Sequence, residues 1–219
     1  MEEEVVKEKE KFGSSKMGNG STALVEYSAP NIAKAFGIGH LRSTIIGQAL
    51  YNMYRCVGYK VVGENHLGDW GTQFGMVIAE VKRGGWDIDK LKLEDLEKLY
   101  VEFNRQMEKD ESLREVAKTW FKLLEQGDVE ARKIWQKAKE TSLSEFDRIY
   151  KLLGVKIDNA HGESFYEDKM PGVIQEIRKK SLSKKSQGAE IVEFPNLSPA
   201  ILLKSDGTTT YFARDLAAL

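Results

Sequence analysis

Residues 23–84 read ALVEYSAP NIAKAFGIGH LRSTIIGQAL YNMYRCVGYK VVGENHLGDW GTQFGMVIAE VKRG, and this stretch decides the fold. Ala23–Ser28 is a short strand-like run that stops before Pro30, because the residue preceding a proline is steered away from the helical region. A turn carrying Gly37 and Gly39 follows. From His40 to Val57 apolar residues recur at helical spacing (Leu41, Ile45, Leu50, Met53, Tyr54, Val57), and Gly58 closes the run. Lys60–Gly63 predicts a second strand. Gly68–Gly75 is a second turn, leading into a helix that runs to Gly84-Gly85. Strand, turn, helix, strand, turn, helix is a β-α-β unit, which implies parallel strands and a right-handed crossover. On such sheets ligands bind beyond the carboxyl ends of the strands, where both glycine turns fall.

Outward from this unit the texture changes. Residues 1–22 read as a solvated arm, with Glu and Lys interleaved over 1–12, and a Gly/Ser-rich flexible joint over 13–21. Residues 23–85 hold the first half of a nucleotide-binding, Rossmann-like core. Residues 86–154 predict an all-helical insertion. Leu96, Leu99, Tyr100, Phe103 and Met107 share one face, and Val116, Ala117, Trp120, Phe121 and Leu124 another. Trp135, Ala138, Phe146, Ile149 and Leu153 belong to one or two more helices. These stripes read as core packing. Residues 155–219 return to α/β texture, with a short helix at Val173–Ile177 and strands at Ala189–Phe194 and Ala200–Lys204. A hairpin through Asp206-Gly207 to Thr208–Tyr211 follows, then a helix opening after Ala213. The fold class expected is therefore α/β, a parallel sheet with flanking helices and a helical insertion.

Composition narrows the function classes. The chain has 219 residues, 41% of them hydrophobic, enough for a core without disulfide or metal staples. There is no run of about 18 apolar residues to span a membrane, and the N-terminus lacks the apolar stretch of a secretory signal. One cysteine, Cys56, and three histidines argue against a disulfide framework and a Cys- or His-built metal site. A reducing, cytoplasmic setting is the default expectation. A net charge of −1 argues against a cationic coat for nucleic acid, though not against a local basic face such as Arg178–Lys185 (RKKSLSKK). That run reads rather as a solvated loop.

The first turn has chemistry of its own. A glycine turn that delivers a helix N-terminus offers unpaired backbone N–H groups and the positive end of a helix dipole, which suits a phosphate. His40 follows Gly39 at the helix start, where an imidazole can donate to a phosphate oxygen as charge builds. Read alone, it is better explained as a helix cap or a surface residue. The second turn gathers His66, Gly68, Asp69 and Gln73, and adjacent parallel strands would bring it beside His40.

EYSAPNIAKAFGIGHLRST followed by NHLGDWGTQFG resembles the arginyl-tRNA synthetases of class I. The likeness continues through GESFY (162–166), Gly188-Ala189, LLKSDGT (202–208) and TYFARDLAA (210–218), with the Tyr-x-x-Arg-Asp element at 211–215, and it covers nearly everything from Leu24 onward. The resemblance implies ATP-dependent formation of arginyl-adenylate and transfer of the arginyl group to tRNA(Arg). It implies an arginine pocket of Glu26, Asn31, Tyr211 and Asp215, with Asp215 facing the guanidinium. Gly37, Gly39, His40, His66, Gly68, Asp69 and Gln73 would attend ATP, with His40 and Lys34 on the phosphates. Mg²⁺ would arrive with ATP rather than in a metal site of the protein, and the full-length protein would be a monomer.

The sequence departs from the family at Gly37, which stands where the first histidine of the His-x-Gly-His element is expected. No Lys-Met-Ser-Lys type loop follows the TYFARD element, and neither a helical anticodon-binding domain nor an N-terminal domain is recognisable. The expectation is a catalytic core without its later part. Two readings compete with an active ligase: a catalytically impaired module that binds nucleotide, arginine or a partner, and another class I-like nucleotidyltransferase. The second leaves the Tyr211 and Asp215 element unexplained.

Overall fold

The computed structural model describes residues 2–219. In chain order the elements are α1 (Glu2–Glu8), β1 (Thr22–Glu26), α2 (Ile38–Cys56), β2 (Lys60–Glu64), α3 (Thr72–Gly84), α4 (Leu93–Met107), α5 (Ser112–Glu125), α6 (Val129–Leu153), α7 (Met170–Lys179), β3 (Ser183–Ser186), β4 (Ala189–Phe194), β5 (Leu197–Leu203) and α8 (Tyr211–Ala218). Short 3₁₀ turns occupy Lys9–Lys11, Ile88–Lys90 and Glu163–Tyr166.

β1 and β2 pair in parallel, from Thr22 opposite Lys60 to Glu26 opposite Glu64, with α2 as the crossover. Beyond the strands the pairing continues through a parallel bridge between Asn31 and Gly68, and Glu64 bridges Asn159 on the other side. The helix ends follow local chemistry. Gly85 and Gly154 adopt the left-handed conformation that closes α3 and α6. Asp128 caps α6 by accepting from Glu130 N and Ala131 N at 3.1 and 2.9 Å.

α3 is the wall shared by the two halves. Its Phe74, Val77, Ile78 and Val81 bury against Leu96 of α4, Phe121 and Leu124 of α5, and Ile134, Trp135, Ala138 and Phe146 of α6, with Trp70 at the centre. The helical block thus shares a core with α3 and the two glycine turns, while β1, β2 and α2 gather around a separate cluster of Val25, Tyr27 and Tyr51. Of the stripes read from the sequence, Leu96, Leu99, Phe121, Leu124, Trp135, Ala138 and Phe146 lie in the shared core, Phe103 and Ala117 bury in a smaller neighbouring cluster, and Val116 and Leu153 are exposed. The residues from Trp135 to Leu153 belong to a single helix. A smaller core, Ile174, Ile177, Leu202 and Ala213, joins α7, β5 and α8 over the antiparallel sheet β3-β4-β5. Among the described residues no helix is long and apolar enough to cross a membrane.

Three local expectations change. Residues 13–21 are docked rather than a loose joint: Ser15 N, Gly18 N and Gly20 N donate to the carbonyls of Cys56, Val57 and Gly58, and Lys60 N donates to Ser21 O. A Cβ at Gly18 would sit 2.5 Å from the Tyr59 ring, so the glycine there permits close contact. The basic run 178–185 is no free loop. Arg178 forks onto Glu190 at 2.6–3.1 Å, Lys180 pairs with Glu176 at 2.6 Å, and Lys184 on β3 pairs with Glu193 at 2.7 Å. β3 escapes detection because Ser-Lys-Lys-Ser shows no apolar alternation. Finally, the hairpin after Asp206 shrinks to one bridge, Leu203 to Thr209, because Tyr211 already begins α8.

Glu125, at the end of α5, sits beside Glu167 on the seam between the two cores. Burial and then the charge of Glu167 push its carboxyl up to about 7, against the pull of Arg214. The native state thus keeps a proton that the unfolded chain loses above the ordinary value of 4.5. The sign follows: this contribution to stability is fully present below pH 4.5 and is lost as the pH rises through about 7. Glu125→Gln should flatten the fall in stability across that window, raising the urea midpoint relative to the parent at about pH 8 more than at about pH 5. Parallel urea titrations at the two pH values measure it, and an equal difference at both would reject the assignment.

Candidate active site

The chain leaves β1 through Tyr27-Ser28-Ala29, and it enters the first turn in strained backbone, with positive φ at Ser28 (77°), Ala29 (48°) and Ala33 (61°). Side-chain hydrogen bonds hold this path. Ser28 Oγ lies 2.7 Å from Tyr150 Oη and accepts from Thr44 Oγ1 at 2.9 Å. Ala29 N donates to Asn65 Oδ1, and Ala33 N donates to Ser142 Oγ, both at 2.9 Å. The two glycine turns then lock together: Gly68 N donates to Pro30 O at 3.1 Å, and Ile32 N to Gly68 O at 3.2 Å. A Cβ at Gly68 would stand 2.2 Å from Asn31 Oδ1, so any larger residue there would have to displace that side chain.

At the start of α2, Gly37 N donates to His40 Nδ1 at 3.1 Å. An Nδ1 that accepts carries no proton, so the neutral ring has its hydrogen on Nε2. Burial and the nearby Lys34 cation hold the imidazole below its usual range, which keeps it neutral at pH 7. His40 is thus a cap through one nitrogen and a donor through the other. Phe36 supports it at 5.6 Å between ring centroids. Gly37 itself is extended (φ −85°) with open space where a Cβ would point, so nothing steric demands glycine at this position. Lys34 Nζ lies 4.7 Å from the centre of the Tyr100 ring.

Of the other residues singled out, Glu26 ends β1 exposed to solvent, and Asn31 is half-buried at the bridge to Gly68. His66 Nδ1 sits 3.1 Å from His161 O, and its ring centroid is 5.8 Å from that of Tyr166. Burial first, then the charges of Glu64 and Glu26, push the Tyr166 phenol up. Gly71, Thr72, Gln73, Tyr100, Thr210 and Tyr211 line a cavity of ≈ 380 Å³ between the N-termini of α3 and α8. Gln73 and Tyr211 are therefore brought together. Asp215 is exposed one turn along α8. Asp69 differs from the reading as an ATP contact: its side chain is 0% exposed and turned into the protein.

Sequence reasoning missed Glu163, Arg214 and Lys139. Arg214 Nε lies 2.8 Å from Glu163 Oε2, both side chains buried, and its guanidinium stacks 4.5 Å from the Tyr211 ring centre. The pair ties α8 to the 3₁₀ turn at Glu163–Tyr166. A family motif contains each of Glu163 and Arg214, but only the fold shows that they meet.

A family model for the catalytic domain of class I (R) tRNA synthetases matches residues 3–219. The chain belongs to this synthetase family. Two curated arginine–tRNA ligases are close relatives. That of Clostridium botulinum (strain 657 / Type Ba4) is 49% identical over 223 residues, covering 99% of this chain and 39% of the relative. That of Clostridioides difficile (strain 630) is 47% identical, covering 98% and 38%. The chain thus spans about two fifths of the length of these synthetases. Among solved structures, the arginyl-tRNA synthetase of Plasmodium falciparum superposes with a TM-score of 0.76 at 33% identity, over 93% of this chain and 34% of that one. The arginyl-tRNA synthetase of Thermus thermophilus, at 21% identity, covers 100% of this chain and 38% of its own length with a TM-score of 0.68, and supports the fold alone.

The α/β, Rossmann-like class I synthetase catalytic fold expected from the sequence is the fold observed. The synthetase family uses ATP. In this member the first motif turn pairs with the second, and the second lines one cavity with the first turn of α8.

Proposed function

We propose that the chain is the catalytic part of an arginine–tRNA ligase, activating L-arginine with ATP and passing it to tRNA(Arg) in the cytoplasm. One observation carries the reading: the Asn31–Gly68 pairing sets the two motif turns edge to edge at the carboxyl end of β1, beside a neutral His40 with its Nε2–H available. The arginine carboxylate attacks the α-phosphorus, a new P–O bond forms, and the bond to pyrophosphate breaks. The ribose hydroxyl of the tRNA terminal adenosine then attacks the acyl carbon, and AMP leaves. The protein's part is placement and charge stabilisation. N–H groups at the α2 N-terminus around Gly37 and Gly39, with Nε2–H of His40 and the Lys34 ammonium, face the phosphates. His66, Gly68 and Gln73 border the adenosine. Asp69 shapes their turn from within. Glu26, Asn31, Tyr211 and Asp215 take the arginine, with Asp215 suited to the guanidinium fork. Mg²⁺ enters on the ATP phosphates.

The test is arginine-dependent exchange of pyrophosphate into ATP with tRNA(Arg) present, alongside calorimetric titration of arginine and ATP. Arginine should bind and drive exchange, and lysine should do neither. A chain that binds neither ATP nor arginine would refute the proposal. Gly37, which offers no imidazole, favours a second reading in which the site binds ATP and arginine without turnover. Binding with no exchange would select it.

A further inference from the structure

Asp69 is the least expected occupant of the second turn, a carboxylate sealed in the interior. It accepts from Ser164 N at 2.8 Å through Oδ1 and from Ser164 Oγ at 2.6 Å through Oδ2. Its counter-charge comes from 70 positions away in the chain: Lys139 Nζ of α6 reaches Oδ2 at 2.5 Å and donates to Ser164 Oγ at 3.1 Å. One helical turn earlier, Trp135 Nε1 donates to the main-chain carbonyl of Asp69 at 2.7 Å, and the Lys139 ammonium stands 5.1 Å from the centre of that indole. Gly162 leaves the room that the carboxylate fills, since a Cβ there would lie 2.5 Å from it.

We propose that Lys139 is a positioning residue for the second glycine turn, acting through Asp69, so that the helical insertion takes part in holding the substrate site. The inference rests on the ligase reading given above. A buried carboxylate that loses its cation must take up a proton or turn toward water, because desolvation of an unpaired charge is costly. Because the Asp69 side chain is 0% exposed, reaching water means displacing the turn that encloses it, including the main chain that Trp135 holds. Its neighbour Gly68 is bonded in both directions to the first turn, at Pro30 and Ile32, and Leu67 O accepts from Glu163 N at 3.0 Å. On the other side Gly71 and Gln73 line the cavity below Tyr211. A shift at Asp69 therefore reaches both turns. Phe74 and Ile78 are held by apolar packing, which should persist when the ion pair is lost.

The experiment compares Lys139→Met, Lys139→Arg and the double variant Lys139→Met with Asp69→Asn, by exchange kinetics and by amide hydrogen exchange. Lys139→Met should raise KM for ATP or arginine by up to about 100-fold, with a smaller change in kcat. Lys139→Arg should recover most of the loss, and the double variant part of it, since no unpaired charge remains. Amide exchange should quicken at residues 66–73 in Lys139→Met while residues 77–81 keep their protection. Parent-like KM in Lys139→Met, or a double variant worse than both single ones, overturns the proposal. So does amide exchange that quickens throughout α3. If Lys139→Met fails to fold, the arginine and double variants decide by the same readouts. If the parent chain binds no substrate, the ligase reading fails, and the amide exchange still decides the positioning role.

Discussion

Gly75→Ala should cost about 3 kcal/mol of stability, the upper part of the usual range for overpacking. Gly75 lies in α3 where it crosses α5, and a Cβ built on it would stand 1.9 Å from the carbonyl oxygen of Ala117 and 3.1 Å from Phe121 Cβ. The first of these partners is backbone, so no rotamer change relieves the contact. The helices must separate, and the core that α3 shares with α4, α5 and α6 loosens with them. For a chain of this length the loss corresponds to a fall in Tm of roughly 6–12 °C. Gly172→Ala is the control. Gly172 is also helical, in α7, and has open space at its Cβ position. There the better helix propensity of alanine should raise stability by up to ~1 kcal/mol. Urea and thermal titrations of the two variants should move in opposite directions. A Gly75→Ala midpoint equal to that of the parent would mean that α3 and α5 do not meet as described.

The largest effect on activity is expected from His40→Ala: a fall in the exchange rate of about 10²–10³, the usual cost of losing one preorganised donor to developing charge. The argument rests on the tautomer. Because Nδ1 is occupied by the N–H of Gly37, Nε2 keeps the hydrogen, and the Lys34 charge helps to keep the ring neutral. On the proposed ligase reading, a neutral donor aimed at the phosphates would gain strength as negative charge moves onto the bridging and leaving oxygens. The loss should therefore fall on kcat more than on KM for arginine. Losing the contact to Gly37 N should also cost about 1 kcal/mol of stability, through the cap. Steady-state exchange kinetics of His40→Ala and His40→Gln check this. The glutamine keeps an N–H donor and should retain more activity. Equal kcat values for parent and alanine variant would remove His40 from the phosphates.

The β-α-β unit is legible because its signals are local. Valine-rich strands, a switch to helical spacing, and glycines at 58 and 85 that take left-handed conformations each act within a few residues. The meeting of the two turns is also legible, since parallel pairing of β1 with β2 leaves the turns nowhere else to go. The missed features depend on distant partners. Nothing around Lys139 distinguishes it from Lys137 or Lys133, which reach toward Asp89 on the surface. Only the packing of α6 turns Lys139 inward. Asp69 reads as a ligand for the complementary reason: an acid between glycines looks exposed until a glycine 93 positions later makes room for it inside. Residues 13–21 look like a spacer because hydrogen bonds from their backbone to Cys56, Val57 and Gly58 leave no mark in side-chain composition.

The length of α6 has a consequence of another kind. Trp135 and Lys139 meet the second turn, Ser142 and Tyr150 meet the first, and Phe146 lies between them. These residues are spaced by four, three, four and four, and so form a single stripe along one continuous helix. The helix thus works as a ruler whose graduations set the gap between two loops encoded far earlier in the chain. A ruler has phase. One residue added between Lys139 and Ser142 would rotate every later graduation by about 100° and advance it by about 1.5 Å, uncoupling the first turn from the second. The same residue added beyond Gly154 would leave the phase intact.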